Sequence, residues 1–81
     1  AGRLMARVRY FAAAAEFAGR DAEVRAEDTL ATLRAAWQSE YPALGGILPR
    51  CAVLVDGRRT DGDAPLTTDT LVDVLPPFAG G

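Results

Sequence analysis

From Leu4 to Phe11 apolar and polar positions alternate: Leu4, Ala6, Val8 and Tyr10 fall on one side, and Met5, Arg7, Arg9 and Phe11 on the other. That period of two predicts a strand whose first set faces a core. Phe11 breaks the rule, as an aromatic on the side that carries two arginines. Either the following segment covers it or it contributes to an exposed apolar surface. Ala12 to Ala18 has high helix propensity, and Gly19 stops it after barely two turns. This predicts a short helical segment that buries Phe17. A second strand is expected near Asp21 to Ala26, with Ala22, Val24 and Ala26 alternating against Asp21, Glu23 and Arg25, antiparallel to the first.

The period then changes. Thr29 suits an N-cap, and Leu30, Leu33, Ala36 and Trp37 trace a helical stripe to about Glu40, where Pro42 ends it. Trp37 is expected in the core. Between Ala43 and Pro49, Leu44, Ile47 and Leu48 are available to close one end of that core, and Gly45-Gly46 is assigned to a turn. Cys51 to Val55 predicts a third strand, apolar on both faces, with Cys51 a small packed hydrophobe. Asp56-Gly57 predicts a hairpin turn into a short strand at Arg58 to Thr60. Leu71 to Leu75 is the final strand, with Val72 and Val74 inward and Leu71, Asp73 and Leu75 outward.

Strand, strand, helix, strand, short strand, strand, with one main helix, predicts an α+β chain of the β-grasp (ubiquitin-like) kind: a mixed sheet wrapped over that helix. In such a sheet the first and last strands lie parallel at the centre. Phe11 and Leu75 would then stand side by side beside Pro76, an apolar patch where the last strand ends.

Composition narrows the chemistry. With 49% hydrophobic and 25% charged residues the chain is expected to be globular, and 81 residues make one domain. The formal net charge of −2 argues against general nucleic-acid binding, which draws on a basic surface. All nine basic residues are arginines, so no side chain of these 81 residues can accept an isopeptide bond. Without histidine and with a single cysteine, histidine-based hydrolysis, a conventional zinc site and an internal disulfide are hard to build, and no metal is expected. Asp61-Gly62-Asp63 lacks the spacing and closing Glu of a calcium loop. No run is long enough for a membrane helix and no signal-peptide pattern stands at the start, so a cytoplasmic protein without a membrane partner is expected.

The remaining candidate is the end of the chain. Residues 1–75 are expected to form the domain, and Pro76-Pro77-Phe78-Ala79-Gly80-Gly81 a flexible tail. The prolines fix φ and remove backbone donors, ending the sheet. The last two residues lack Cβ and can pass through a narrow slot. Fully extended, the tail spans roughly 20 Å, at about 3.3–3.6 Å per residue.

Arg7-Val8-Arg9-Tyr10-Phe11-Ala12, Thr29-Leu30-Ala31-Thr32-Leu33, Val55-Asp56-Gly57 and the terminal Pro76 to Gly81, in that order and spacing, resemble the small subunit of molybdopterin synthase (MoaD-like) over nearly the whole chain. Phe78 stands where that family usually has Val. The resemblance implies a ubiquitin-like sulfur carrier with no catalytic side chains of its own. A ubiquitin-activating-type adenylyltransferase would spend ATP to adenylate the Gly81 carboxylate, and a sulfur donor protein would convert it to a thiocarboxylate. Inside the molybdopterin synthase large subunit, that sulfur would attack a pyranopterin precursor in molybdenum cofactor biosynthesis. No cofactor is expected on the carrier itself; Gly80, Ala79, Phe78, Pro77, Pro76, Leu75 and Phe11 would carry the tail and its docking. A carrier for another pathway (thiamine, cysteine or a secondary metabolite) and a ubiquitin-like protein modifier are the alternatives.

Overall fold

A computed structural model of the chain describes residues 5–77 of the 81. The elements follow in the order β1 (Ala6–Tyr10), α1 (Ala13–Ala18), β2 (Ala22–Arg25), α2 (Leu30–Glu40), α3 (Pro42–Ile47), a 3₁₀ turn (Leu48–Arg50), β3 (Ala52–Val55), β4 (Arg58–Arg59) and β5 (Leu71–Leu75). The strands form one sheet in the order β2-β1-β5-β3-β4. β1 and β5 pair in parallel, Val8 opposite Val72 and Tyr10 opposite Val74, while every other pair is antiparallel. This is the expected mixed β-grasp sheet, with the first and last strands at its centre.

One face of the sheet packs on α2. Ala6, Val8 and Tyr10 of β1, and Val72 and Val74 of β5, are buried against Leu30, Leu33 and Trp37. Trp37 is fully buried, and removing an aromatic of that size from water stabilises by a few kcal/mol. The start of α2 is secured three times over. Thr29 Oγ1 accepts from the Thr32 N–H (3.2 Å), Asp63 Oδ1 accepts from the Ala31 N–H (2.8 Å), and the Ala64 carbonyl accepts from the Leu30 N–H (2.8 Å). Each satisfies an amide that the helix leaves without an internal partner. Asp63 is thus a capping residue contributed by a distant loop.

Two expectations are corrected. Phe17 is not buried; it is 40% exposed. Ala14 and Ala18, four apart on α1, face the core instead, and their small size lets so short a helix lie close to the sheet. Gly45-Gly46 is not a turn but the fourth and fifth of the six residues of α3, which Pro42 opens from its first turn. The reason is close approach: a Cβ at Gly45 would lie 3.0 Å from the Gln38 Cα of α2. Leu44 and Leu48 are buried and Ile47 packs against the core, so the segment closes its end as expected.

The polar residues of β2 are the ones that turn toward the helices. Glu23 stands opposite Val8 and Arg25 opposite Ala6 on the core side, leaving Ala22 and Val24 outside. At this sheet margin polar partners replace apolar cover. Glu23 accepts hydrogen bonds from the hydroxyls of Tyr10 and Tyr41, the latter at 2.9 Å, and Trp37 Nε1–H donates to Tyr10 Oη at 2.8 Å. Arg25 clamps Glu27 and Glu40, with closest approaches of 2.7 and 2.9 Å. Tyr10 also meets Trp37 and Tyr41 edge to face, at 6.2 and 6.3 Å between ring centres.

Candidate functional site

The site is built where β5 leaves the sheet. Because β1 and β5 are parallel, their carboxyl ends coincide. The Phe11 N–H donates to the Val74 carbonyl (3.1 Å), continuing the ladder one step beyond the paired strands. One residue past the Tyr10–Val74 pair, the register sets Phe11 opposite Leu75 on the face turned away from α2, with Ala52 of β3 on the other side of Leu75. Phe11 is 39% exposed and Leu75 half-buried. The following segment therefore leaves Phe11 open to solvent. Pro76 is buried against the body, and Pro77 is exposed. Phe78, Ala79, Gly80 and Gly81 lie outside the described residues.

The backbone behind Phe11 is forced. Ala12 takes φ 50° and ψ −124°, a region that Cβ sterics disfavour for any residue but glycine. It turns the chain from β1 into α1, where the Phe11 carbonyl accepts from the Ala14 N–H (2.9 Å). Next to this strained link, in the preceding row of the sheet, Arg9 binds Asp73 through two hydrogen bonds of 2.7 and 2.9 Å. The Arg9 guanidinium also lies over the Phe11 ring, 5.4 Å from its centre, a cation–π contact. The exit of β5 is therefore flanked by an aromatic with a charged lid and by an internally neutralised ion pair.

Nucleophilic and metal chemistry is not assembled here. Cys51 is buried, and desolvation pushes its thiol up from the ordinary value, so it is not held as a thiolate. No group of three or more metal-ligating side chains occurs among the described residues. No helix among them is long and apolar enough to cross a membrane. What the arrangement can do is let the segment that follows β5 leave from the middle of the sheet beside an exposed aromatic. The sequence pattern singled out Phe11 and Leu75. It did not single out Arg9, Asp73 or Ala12, whose roles depend on strand neighbours and a backbone angle; the outward alternation of Arg7 and Arg9 was the one available signal.

The structure has clear relatives. It is similar to the HVO 2177 protein of Haloferax volcanii, at 28% identity over 96% of this chain and 87% of that one, with a TM-score of 0.76. It is similar to a chain of the complex of subunits 1 and 2 of the molybdopterin-converting factor of Helicobacter pylori, at 26% identity over 96% and 100%, TM-score 0.75. The small archaeal modifier protein 1 of Methanosarcina acetivorans, 19% identical over the full length of both chains with a TM-score of 0.80, shares the fold. Comparison with curated proteins by sequence finds no match. The model of the ThiS family matches residues 8–81, so the chain, with its ubiquitin-like sheet and centrally placed last strand, belongs to the ThiS family.

Proposed function

We propose that this chain is a sulfur carrier whose Gly81 carboxylate is activated and converted to a thiocarboxylate, which then donates sulfur to a pyranopterin precursor in molybdopterin synthesis. The observation that supports the reading is the central position of β5, whose carboxyl end lies beside the exposed Phe11. A carboxylate is a poor electrophile. In the proposed first step its oxygen attacks the α-phosphorus of ATP, pyrophosphate leaves, and the acyl-adenylate results. The outer sulfur of a persulfide on a donor protein then attacks that carbonyl and AMP departs, and a thiol cleaves the S–S bond of the resulting acyl disulfide, leaving the thiocarboxylate on this chain and a disulfide on the donor. The catalytic side chains belong to the partners: a ubiquitin-activating-type adenylyltransferase and a molybdopterin synthase large subunit. The Helicobacter relative, solved as a complex of two converting-factor subunits, supports the second partner.

The test is direct. Incubation of the 81-residue chain with the adenylyltransferase, ATP and the sulfur donor raises its mass by about 16 Da, oxygen replaced by sulfur. Deleting Gly81 abolishes the conversion and leaves the thermal midpoint unchanged. An unaltered mass where a known carrier is converted overturns the proposal. The match to the ThiS family as a whole favours, as a second reading, a carrier that hands its sulfur to another acceptor such as a thiamine precursor. The large protein that copurifies with the chain separates the two.

A further inference from the structure

The strand order leaves two margins, β2 and β4. A margin presents unpaired backbone donors and acceptors, a template for another strand, and its side chains decide what it accepts. On β4 both residues are arginines, Arg58 and Arg59. On β2 the pattern differs. The Tyr10 N–H donates to the Asp21 carbonyl (2.8 Å), and in an antiparallel ladder pairs that exchange such bonds alternate with pairs that do not. Asp21, Glu23 and Arg25 therefore turn their backbone groups toward β1, whereas Ala22, Val24 and Ala26 turn theirs outward. All three outward-turned residues are exposed, and Val24, at 54%, is the most exposed large hydrophobic among the described residues. No proline or bulge blunts this edge.

We propose that β2 pairs antiparallel with β2 of a second copy of this chain, with Val24 on the two-fold axis, so that two sheets join into one. Residues that face each other across such a ladder share a face of the sheet, so one residue of the strand must face its own copy. The choice of that residue fixes the charges. Centred on Glu23, the ladder sets carboxylate against carboxylate; centred on Arg25, guanidinium against guanidinium; centred on Ala22, Asp21 against Glu23. Centred on Val24, it sets Glu23 against Arg25 on both sides of the axis, Val24 against Val24, and Ala22 against Ala26. Facing charges of opposite sign stabilise a sheet and like charges destabilise it. This register alone is free of like pairs within β2, and it gives a partner to every outward-turned backbone group of Ala22, Val24 and Ala26. Just beyond the strand Asp21 meets Glu27, whose charge Arg25 already neutralises at 2.7 Å.

The other margin admits no such pairing, because either residue of β4 on the axis sets arginine against arginine. Acid and base at symmetric positions about Val24 make the β2 edge complementary to itself, which favours a second copy over a foreign strand. The axis stands perpendicular to the sheet, so the carboxyl ends of the two β5 strands point in opposite directions. The Phe11/Leu75 surface of each copy stays open, and the pairing is independent of the sulfur-carrier reading.

The experiment uses the 81-residue chain alone. Sedimentation equilibrium shows the average mass rising from monomer toward dimer with a Kd on the order of 100 µM, as for an interface below the usual size. Val24→Glu and Val24→Lys each set like charges opposite one another and raise that Kd roughly tenfold, while backbone amide spectra show both variants folded. Mixed in equal amounts, the two variants associate again, because the facing charges are then opposite. In a sample of isotope-labelled and unlabelled chain, a nuclear Overhauser contact joins the Glu23 Hα to the Arg25 Hα of the other copy, since these two stand in a non-hydrogen-bonded pair. A chain that stays monomeric up to about 1 mM overturns the inference, and that is the result if the edge serves only a foreign strand. Dimerisation undisturbed in both variants overturns it as well, as does a mixture that stays monomeric where the wild type pairs.

Discussion

Ala12 and Tyr10, either side of Phe11, are held in place in opposite ways. Ala12 occupies a backbone region that costs a residue with a Cβ about 1–3 kcal/mol. Glycine has no such cost, although its freedom in the unfolded chain returns about 0.4–1 kcal/mol of the gain. Ala12→Gly is therefore expected to raise stability by about 1 kcal/mol in urea unfolding, the reverse of the usual effect of glycine beside a helix. Tyr10 is held by partners instead. Burial first, and then its hydrogen bond to Glu23, push its hydroxyl far above the ordinary value of about 10, and Tyr41 is raised for the same two reasons. Because the folded values exceed the unfolded one, the stability linked to these protons is complete below about pH 10 and declines as pH rises beyond it. Thermal midpoints should fall above that pH. Tyr10→Phe should weaken the alkaline decline while costing about 1–3 kcal/mol at neutral pH, because the buried Trp37 N–H loses its acceptor. At acid pH the opposite sign applies to Glu27, which hydrogen bonding to Arg25 holds below the usual carboxylate range. That stabilisation is present above about pH 4.5 and is lost as pH falls.

Helix α3 shows what an element owes to its neighbours. Pro-Ala-Leu-Gly-Gly-Ile has weak helix propensity, and Gly-Gly ordinarily marks a turn. The helix exists because Leu44 is drawn into the core while Gly45 lets the backbone close on α2. The two glycines should thus respond oppositely to alanine. Gly45→Ala forces a Cβ against the Gln38 Cα and is expected to cost about 1–3 kcal/mol. Gly46→Ala meets nothing within 4 Å and should stabilise by up to about 1 kcal/mol through helix propensity. Chemical denaturation of both variants checks the pair. This is also where legibility ended. The alternation of β1 and β5, the Thr29 cap and the Leu30–Leu33–Trp37 stripe are local patterns, and each was readable along the chain. Phe17 was misplaced because an aromatic in a two-turn helix suggests a core anchor, whereas the core had room only for Ala14 and Ala18. The inward turn of Glu23 depends on Tyr10 and Tyr41, far away in sequence.

At the scale of the molecule, the Phe11/Leu75 juxtaposition was legible because it follows from topology once the strand order is inferred. The outward-turned amides of β2 were not, because the β1–β2 ladder decides which they are. If the tail root is the docking surface, Phe11→Arg and Leu75→Arg, both on the outer face, should each weaken binding to the large subunit at least tenfold, by titration calorimetry. Retained affinity in both variants would remove the docking patch from the account. Thermal unfolding is expected to change little for Phe11→Arg, since the ring is already largely open to solvent.

The parallel pairing of β1 with β5 has a mechanical consequence. A partner that holds the tail pulls along β5, and an opposing pull at the beginning of β1 loads the hydrogen bonds between the two strands in shear. All the bonds of that ladder must then yield together, with β3 bracing β5 from its other side. β4 has only one neighbour and can be peeled from the sheet bond by bond. Stretched between residues 5 and 77, the body should therefore resist far higher force than when pulled from residue 59. Under the proposed carrier function, a pull on the segment beyond β5 would load the domain in its strongest direction.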